Sequence, residues 1–467
     1  MRDSAFRVAP EDVYAVPMGG QWLLFSPRNL TSALVNRAAV EAVATCANGN
    51  AANVPETVRD LWQQLSETSA IPFRPPSPLE KLVIIPTRSC NMRCVYCDFG
   101  TPGAHATTLD PRLACRLIEN VAAKPPSTAP AMLRIHFFGG EPLVARPCVE
   151  TVVHYARMAC ARTGLTPWFE ITTNGLFDPT AVPFIGDYMD SVVISLDGAE
   201  SAHDFNRRRA DGGGTYSAIA ANIRRLSRSP VELSLRTSVT SRSVDAMTAI
   251  ASHFCSEFEF DLLCFEMLAP TESARDAGLS PPDPYRFAAG VLKAETLAAS
   301  HDVHIIHGPS ELTGPRATSC PVGRGTLMLN PEGMLTACYL EAERWTSRGL
   351  DPVFGRVDPV SGPMIEQQKL DAIASLLDSK PRCARCFCRH TCAGGCHIEQ
   401  TPPGCSLEYD DRCRAIRIIT AGRLMRNLEG TTAAEAFAEQ PSAMRGVAEN
   451  PDDRLTAWTL GVKRRGL

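Results

Sequence analysis

The sequence predicts an α/β protein built around a partial, TIM-like (β/α)6 barrel, and three observations carry that expectation. First, between residues 79 and 310, six strand-like apolar runs (82–86, 133–138, 168–172, 191–196, 231–237 and 262–267) alternate with helical periods such as Leu113, Leu117, Ile118 and Val121. Such β/α units in succession imply a parallel sheet with right-handed crossovers. Second, short Cys-, Gly- and Asp-containing motifs follow these strands directly, at the C-terminal ends where a barrel builds its site. A flat doubly wound sheet shares the periodicity, so the motif positions are what favour the barrel. Third, after residue 310 the chain turns rich in Cys, Gly and Pro, as a small module held by metal rather than by an apolar core would be.

The flanking segments follow the same logic. Residues 1–78 read as a separate small domain, in which 13–16 and 22–25 flank Gly19-Gly20 as a hairpin and helical periods run through Leu34, Val35, Ala38, Ala39 and Val43, then Val58, Leu61 and Leu65. A proline-rich linker at 72–78 closes it. The Cys-rich module spans 311–413, and 414–467 is a helical tail through Ile419, Leu424 and Leu428 with a polar end.

Composition narrows the function classes. A chain of 467 residues exceeds one hydrophobic core, and 44% hydrophobic with 21% charged residues is ordinary globular usage. A net charge of −4 leaves no basic footprint for nucleic acid. No apolar run reaches the roughly 18 residues of a spanning helix, and the N-terminus has acids where a signal peptide is basic, so the expectation is a cytoplasmic protein without a membrane partner. In that compartment the 18 cysteines are not a disulfide framework. Their clustering points to metal ligation. Cys46, Cys115, Cys148, Cys160, Cys255 and Cys264 lie within helix or strand patterns and read as core.

After the first strand comes Cys90-Asn91-Met92-Arg93-Cys94-Val95-Tyr96-Cys97. Three thiolates on one short loop can hold three irons of a [4Fe–4S] cube and leave the fourth iron open to a small molecule. Zinc is the alternative, but it prefers four ligands and paired CxxC hooks. Gly139-Gly140-Glu141-Pro142 follows the second strand, Thr173-Asn174-Gly175 ends the third and Ser195-Leu196-Asp197-Gly198 the fourth. Arg236 places a charge within the apolar fifth strand, where it needs a partner. In the Cys-rich module Cys320 is followed by Gly333 and Cys338, then by Cys383-x2-Cys386-x5-Cys392-x3-Cys396 and Cys413. A zinc ribbon is the alternative for Cys383, Cys386, Cys392 and Cys396 taken alone.

The CxxxCxYC loop at the end of a first barrel strand resembles the radical S-adenosylmethionine (SAM) superfamily, and the later motifs extend the likeness. The resemblance implies that Cys90, Cys94 and Cys97 hold a catalytic cluster whose open iron is chelated by SAM, and that reductive cleavage gives a 5′-deoxyadenosyl radical. It implies that Tyr96 lies near the adenine, that Gly139, Gly140 and Glu141 receive the SAM ammonium, and that Thr173, Asn174, Ser195 and Asp197 meet its ribose and carboxylate. Arg236 would then pair with the SAM carboxylate or with Asp197. The segment from His203 to Arg208 would order the substrate entrance or be a solvated loop.

The cysteine spacing after residue 310 is similar to the SPASM domain of peptide-modifying radical SAM enzymes, which carries two auxiliary [4Fe–4S] clusters and so implies three clusters in all. By that resemblance Cys383, Cys386, Cys392 and Cys413 hold the outer cluster, and Cys320, Cys338 and Cys396 the inner one. Its fourth ligand is Cys388 or Cys405, or else the iron is open. The N-terminal domain is similar to the PqqD-like peptide chaperone of quinone-cofactor biosynthesis, which takes a leader peptide as an added strand. The implied function is modification of a ribosomally synthesised precursor peptide by thioether or carbon–carbon cross-linking, with electrons from an external flavodoxin- or ferredoxin-type donor. One rival is an anaerobic sulfatase maturase, which carries an acid after its second SPASM cysteine where this chain has Tyr339. The other is a non-catalytic iron–sulfur scaffold or electron carrier.

Overall fold

The computed structural model describes residues 12–67, 81–99, 107–123, 132–316, 325–340, 342–376, 380–400 and 408–458, so the linker at 72–78, Cys320 and Cys405 lie outside the described residues. At the N-terminus three antiparallel strands form one sheet, β1 (Tyr14–Met18), β2 (Gln21–Ser26) and β3 (Thr31–Val35). The sequence pattern had suggested two. Asn36 explains the difference, because its side chain accepts the Ala39 N–H at 2.8 Å and starts helix Arg37–Ala47 there, which leaves Leu34 and Val35 in the sheet. Pleating divides the sheet's side chains: Val13, Ala15 and Leu24 pack under that helix and Glu56–Ser66, while Tyr14, Val16, Leu23 and Phe25 enter the core shared with the barrel.

The barrel strands are β4 (Lys81–Ile84), β6 (Met132–Phe137), β7 (Thr166–Thr173), β8 (Ser191–Ser195), β10 (Glu232–Val239), β11 (Leu262–Met267) and β12 (His304–Ile306). Each is parallel to its neighbour, which realises all six expected strands and adds β12 at the edge. Between them β5 (Met92–Cys94) and β9 (Arg207–Arg209) form a separate antiparallel ribbon that ties the first cysteine loop to the segment after β8. Beyond β4, the Cys-rich module continues the same sheet. Its strand β13 (Thr326–Leu329) runs parallel to β4, and β14 (Met334–Thr336), β15 (Val353–Asp358) and β16 (Gly362–Ile365) follow antiparallel, giving eleven strands. The module thus begins as an extension of the barrel sheet rather than as a detached unit.

The C-terminal tail is more than a polar end. Helices Asp411–Glu429, Thr431–Ala438 and Pro441–Glu449 pack against the barrel helix Pro284–Ala299, with Gly422 against Leu292 where a Cβ would come within 2.4 Å of a methyl. Arg423 donates to Glu295 and Glu311 at 2.8 Å each, and Arg426 also pairs with Glu295. The chain then returns to β1, where the Ala15 N–H donates to the Asp453 carbonyl at 2.6 Å and the Leu455 N–H to the Val13 carbonyl at 2.9 Å. One edge of the N-terminal sheet is covered in this way, while β3 is its opposite edge.

Arg423 is buried with two carboxylate partners, so removing it strands buried charge. Arg423→Ala is expected to destabilise the protein by about 3–5 kcal/mol in urea unfolding followed by circular dichroism, whereas an exposed pair would give about 0–1 kcal/mol.

Candidate active site

The loop after β4 carries Cys90, Cys94 and Cys97. Two glycines after β6 press on the segment that leads into it: a Cβ on Gly139 would lie 2.6 Å from the Thr87 carbonyl oxygen, and one on Gly140 2.3 Å from that of Ser89. These glycines are therefore required by the approach of two protein backbones, and both line the cavity. Donors converge on the sulfurs. The Met92 N–H lies 3.4 Å and the Asn174 amide 3.5 Å from Cys90 Sγ, and the Phe99 N–H lies 3.4 Å from Cys97 Sγ. Burial pushes the Cys90 thiol up to about 11 and the Cys94 thiol up to about 12, so these groups ionise at neutral pH only against metal cations. Three thiols, two of them with N–H groups aimed at sulfur, fit an iron–sulfur cluster.

Glu141 is buried and fully engaged by protein. Its Oε1 accepts the Leu143 N–H at 3.1 Å and the Thr173 hydroxyl at 2.9 Å, and its Oε2 accepts the Asn174 N–H at 2.7 Å, so it clamps the loop after β6 to the loop after β7. Burial raises its pKa to about 7. Asn174 continues the clamp by donating to Asn91 Oδ1 at 2.8 Å.

Asp197 is the second hub. It accepts the Tyr96 hydroxyl at 2.5 Å, the Ser238 N–H at 3.0 Å and the Asn206 amide at 3.2 Å, and it pairs with Arg207 at 3.1 Å. The Arg207 guanidinium lies 5.5 Å from the Tyr96 ring centroid. The Asp197 N–H donates to His203 Nδ1 at 3.2 Å, and the Thr215 hydroxyl donates to the Arg207 carbonyl at 2.6 Å, which leaves His203 Nε2–H to donate to Thr215 at 3.0 Å. Burial pushes His203 down to about 4 and keeps it neutral. His203, Asn206 and Arg207 are thus internal supports and not a solvated loop. Their motif was visible in the sequence, but no local pattern revealed that it closes on Asp197.

Asp197 is therefore not the partner of Arg236. That guanidinium, half-buried on β10, is charge-balanced by Glu266 on β11, beside His307. Glu266 and His307 were missed because each sits in an apolar run with no motif around it. Arg236, Glu266 and His307 line a cavity of about 1460 Å³ together with Cys90, Cys94, Cys97, Tyr96, Thr173, Asn174 and Ser195. Glu141 and Asp197 support its wall from behind. At the other end the cavity reaches Cys338, Tyr339 and Cys396, and Tyr339 packs against Phe138 and Phe99 with ring centroids 4.8 and 6.0 Å away.

Cys338 and Cys396 each receive a backbone N–H, from Leu340 at 3.5 Å and Glu399 at 3.2 Å. Cys383, Cys386, Cys392 and Cys413 form a second group, with the Gln400 amide 3.1 Å from Cys413 Sγ and Arg417 3.2 Å from Cys386 Sγ. Cys388 interacts with Cys386 and so lies beside this group. Among the described residues, no three His, Cys, Asp or Glu side chains converge on a single-ion site. The donor chemistry at both cysteine groups again fits iron–sulfur ligation.

These features define an open α/β-barrel protein whose strand-end loops present a three-thiol site to a large cavity. Residues 84–240 match the Radical SAM superfamily, a family whose members hold a [4Fe–4S] cluster and bind SAM. The chain is 25% identical over 211 residues to a cysteine-type anaerobic sulfatase-maturating enzyme of Clostridium novyi, covering 44% of this chain and 56% of that one. The chain thus spans little more than half the length of that relative. A serine-type anaerobic sulfatase-maturating enzyme of Klebsiella aerogenes is 25% identical over 361 residues, 72% of this chain and 84% of that one. Among solved structures, anSMEcpe with bound AdoMet aligns with a TM-score of 0.60 at 18% identity, covering 74% and 98% of the two chains. Streptococcus suis SuiB bound to precursor peptide SuiA aligns at 0.50 and 13%, covering 85% and 98%. No helix among the described residues is long and apolar enough to cross a membrane.

Two outcomes follow from the hubs. Asp197→Asn leaves Arg207 buried without its counter-charge, and it is expected to weaken SAM binding at least tenfold by isothermal titration calorimetry on the reconstituted protein. Glu141 sets a pH dependence. Between its ordinary value of 4.5 and about 7 the folded state keeps a proton that the unfolded chain has released, so stability from this group falls as pH rises through that window. Glu141→Gln is expected to flatten this slope in urea titrations across the same range; an unchanged slope would show that Glu141 is not the titrating group.

Proposed function

We propose that this protein is a radical SAM maturase of a ribosomally synthesised precursor peptide, with Cys90, Cys94 and Cys97 as ligands of the SAM-binding cluster. The observation that carries the reading is the single cavity running from those thiols to Cys338 and Cys396, the described ligands of an inner auxiliary cluster. With Cys383, Cys386, Cys392 and Cys413 holding an outer cluster, the protein contains three [4Fe–4S] clusters. When bound, the first cluster and SAM supply a 5′-deoxyadenosyl radical. Around them, Gly139, Gly140, Thr173, Asn174 and Ser195 provide the wall for SAM, Tyr96 is fixed by Asp197, and Arg236 supplies a cation balanced by Glu266. Electrons come from an external flavodoxin- or ferredoxin-type donor. A peptide carbon held between the two ends of the cavity can lose hydrogen at one end and the leftover electron at the other, which suits formation of a thioether or carbon–carbon cross-link.

Residues 12–67 serve as the leader-recognition domain, and the edge that accepts an added strand is β3, because Asp453–Leu455 already lies along β1. The other face of this sheet is part of the common core, so a point of attachment is better tested without deleting the domain. The sulfatase-maturating relatives support a second reading, oxidation of a Cys or Ser to formylglycine. Tyr339 beside Cys338 favours the first, since a phenol, with an ordinary pKa of about 10, is a poor general base at neutral pH.

The reconstituted protein is expected to hold about twelve irons, and replacing Cys90, Cys94 and Cys97 together by Ala to remove about one third of them with all SAM cleavage. Retained cleavage would remove the central assignment. Mass spectrometry after incubation with the precursor separates the readings: a cross-link removes two hydrogens and leaves no hydrazide-reactive group, whereas formylglycine forms a hydrazone. For the recognition domain, leader peptide is expected to slow amide hydrogen exchange over residues 31–35; protection elsewhere with none at β3 would move the leader site.

A further inference from the structure

We infer that Arg417 and Asp453 set the reduction potential of the outer auxiliary cluster, with Arg417 as a positioning residue acting through Cys386. The inference rests on the reading above that Cys383, Cys386, Cys392 and Cys413 hold that cluster. Arg417 lies one helical turn beyond Cys413 in Asp411–Glu429, so the two side chains leave the same helix face. Its Nη1 donates to Cys386 Sγ at 3.2 Å and to Asp453 Oδ2 at 2.6 Å, and its Nη2 donates to Asp453 Oδ1 at 3.1 Å and to the Val447 carbonyl at 2.7 Å. The guanidinium lies 4.1 Å from the Tyr409 ring centroid and 5.1 Å from that of Phe387, and both charged side chains are almost wholly buried. Asp453 also accepts the Phe387 N–H at 3.1 Å and the Asn450 amide at 2.5 Å, so its position is fixed from several directions.

The physical consequence concerns the electron that reduces the cluster. Hydrogen bonds to a ligating sulfur and nearby positive charge stabilise the more negative, reduced state, and solvent exclusion strengthens both effects. Arg417 therefore raises the potential. Asp453 opposes it through its charge while holding the donor on Cys386. A buried ion pair made only for structural support has no need to place a donor on a thiolate, and replacing such a pair with apolar groups is often tolerated.

The test is a dithionite titration of the reconstituted holoenzyme, followed by electron paramagnetic resonance in a Cys338→Ala/Cys396→Ala background that lacks the inner cluster. Arg417→Gln removes the cation and leaves the carboxylate, so the outer potential is expected to fall by a factor of ten or more in the reduction equilibrium, about 59 mV for one electron. Asp453→Asn is expected to raise it, and Arg417→Lys to fall between Arg417→Gln and the unaltered protein. Shifts of the same sign in Arg417→Gln and Asp453→Asn, or no shift in either, would overturn the inference. Should the single variants fail to fold, Arg417→Met/Asp453→Asn removes both charges and the donor, and a lowered potential is still expected; an unchanged potential in that variant would also overturn it. If the unaltered background shows no outer-cluster signal and its iron content falls short, the ligand assignment itself fails, and that outcome is distinguishable from a present signal that ignores Arg417.

Discussion

The buried pair of Arg417 and Asp453 is where the parts of this molecule are joined. Asp453 contributes its backbone to the edge of β1, its N–H to the Arg385 carbonyl and its carboxylate to Arg417 and the Phe387 N–H, so the N-terminal sheet, the cysteine loop and the last long helix share one residue. A buried ion pair is costly to desolvate and holds only when its donors and acceptors are satisfied. Here the carbonyls of Val447 and Asn450 take the remaining guanidinium protons. The tail can thus not be exchanged freely for another sequence. Its turn at 450–453 completes the packing around the outer cysteine group.

The active-site end of the barrel obeys a similar constraint with different chemistry. The C-terminal ends of five consecutive parallel strands meet around a small loop of thiols, and polar clamps hold them together. Glu141 joins the second and third loops, and Asp197 joins the first, fourth and fifth through Tyr96, Arg207 and Ser238. Their side chains fix the frame and leave the cavity surface to Gly139, Gly140, Thr173, Asn174 and Ser195. Such preorganisation places polar groups toward a ligand without reorganisation when it binds.

The continuous sheet gives the two ends of the cavity a fixed relation. Because β13 pairs with β4 on one side and with β14 on the other, the strand that leads to Cys338 belongs to the same sheet as the strand that leads to Cys90. Between them Phe99, Phe138 and Tyr339 form an aromatic wall of the cavity, and Arg236 with Glu266 a polar one.

The sequence by itself determined the strand order of the barrel, the cysteine loop and the cysteine-rich module, because period, spacing and strand-end position are local properties of the chain. Cys90, Cys94, Cys97, Gly139, Gly140 and Asn174 were legible for that reason. Other features depended on contacts between segments far apart. Arg236 could be recognised as a charge needing a partner, yet only the pairing of β10 with β11 decided that Glu266 balances it and that Asp197 belongs to Arg207. The strand at Thr31–Val35 was hidden by its apolar residues, which fit either period, until the Asn36 cap fixed where the helix begins. The polar tail looked empty of function because its value lies in one carboxylate, and a carboxylate acquires a role only when folding places a buried cation beside it.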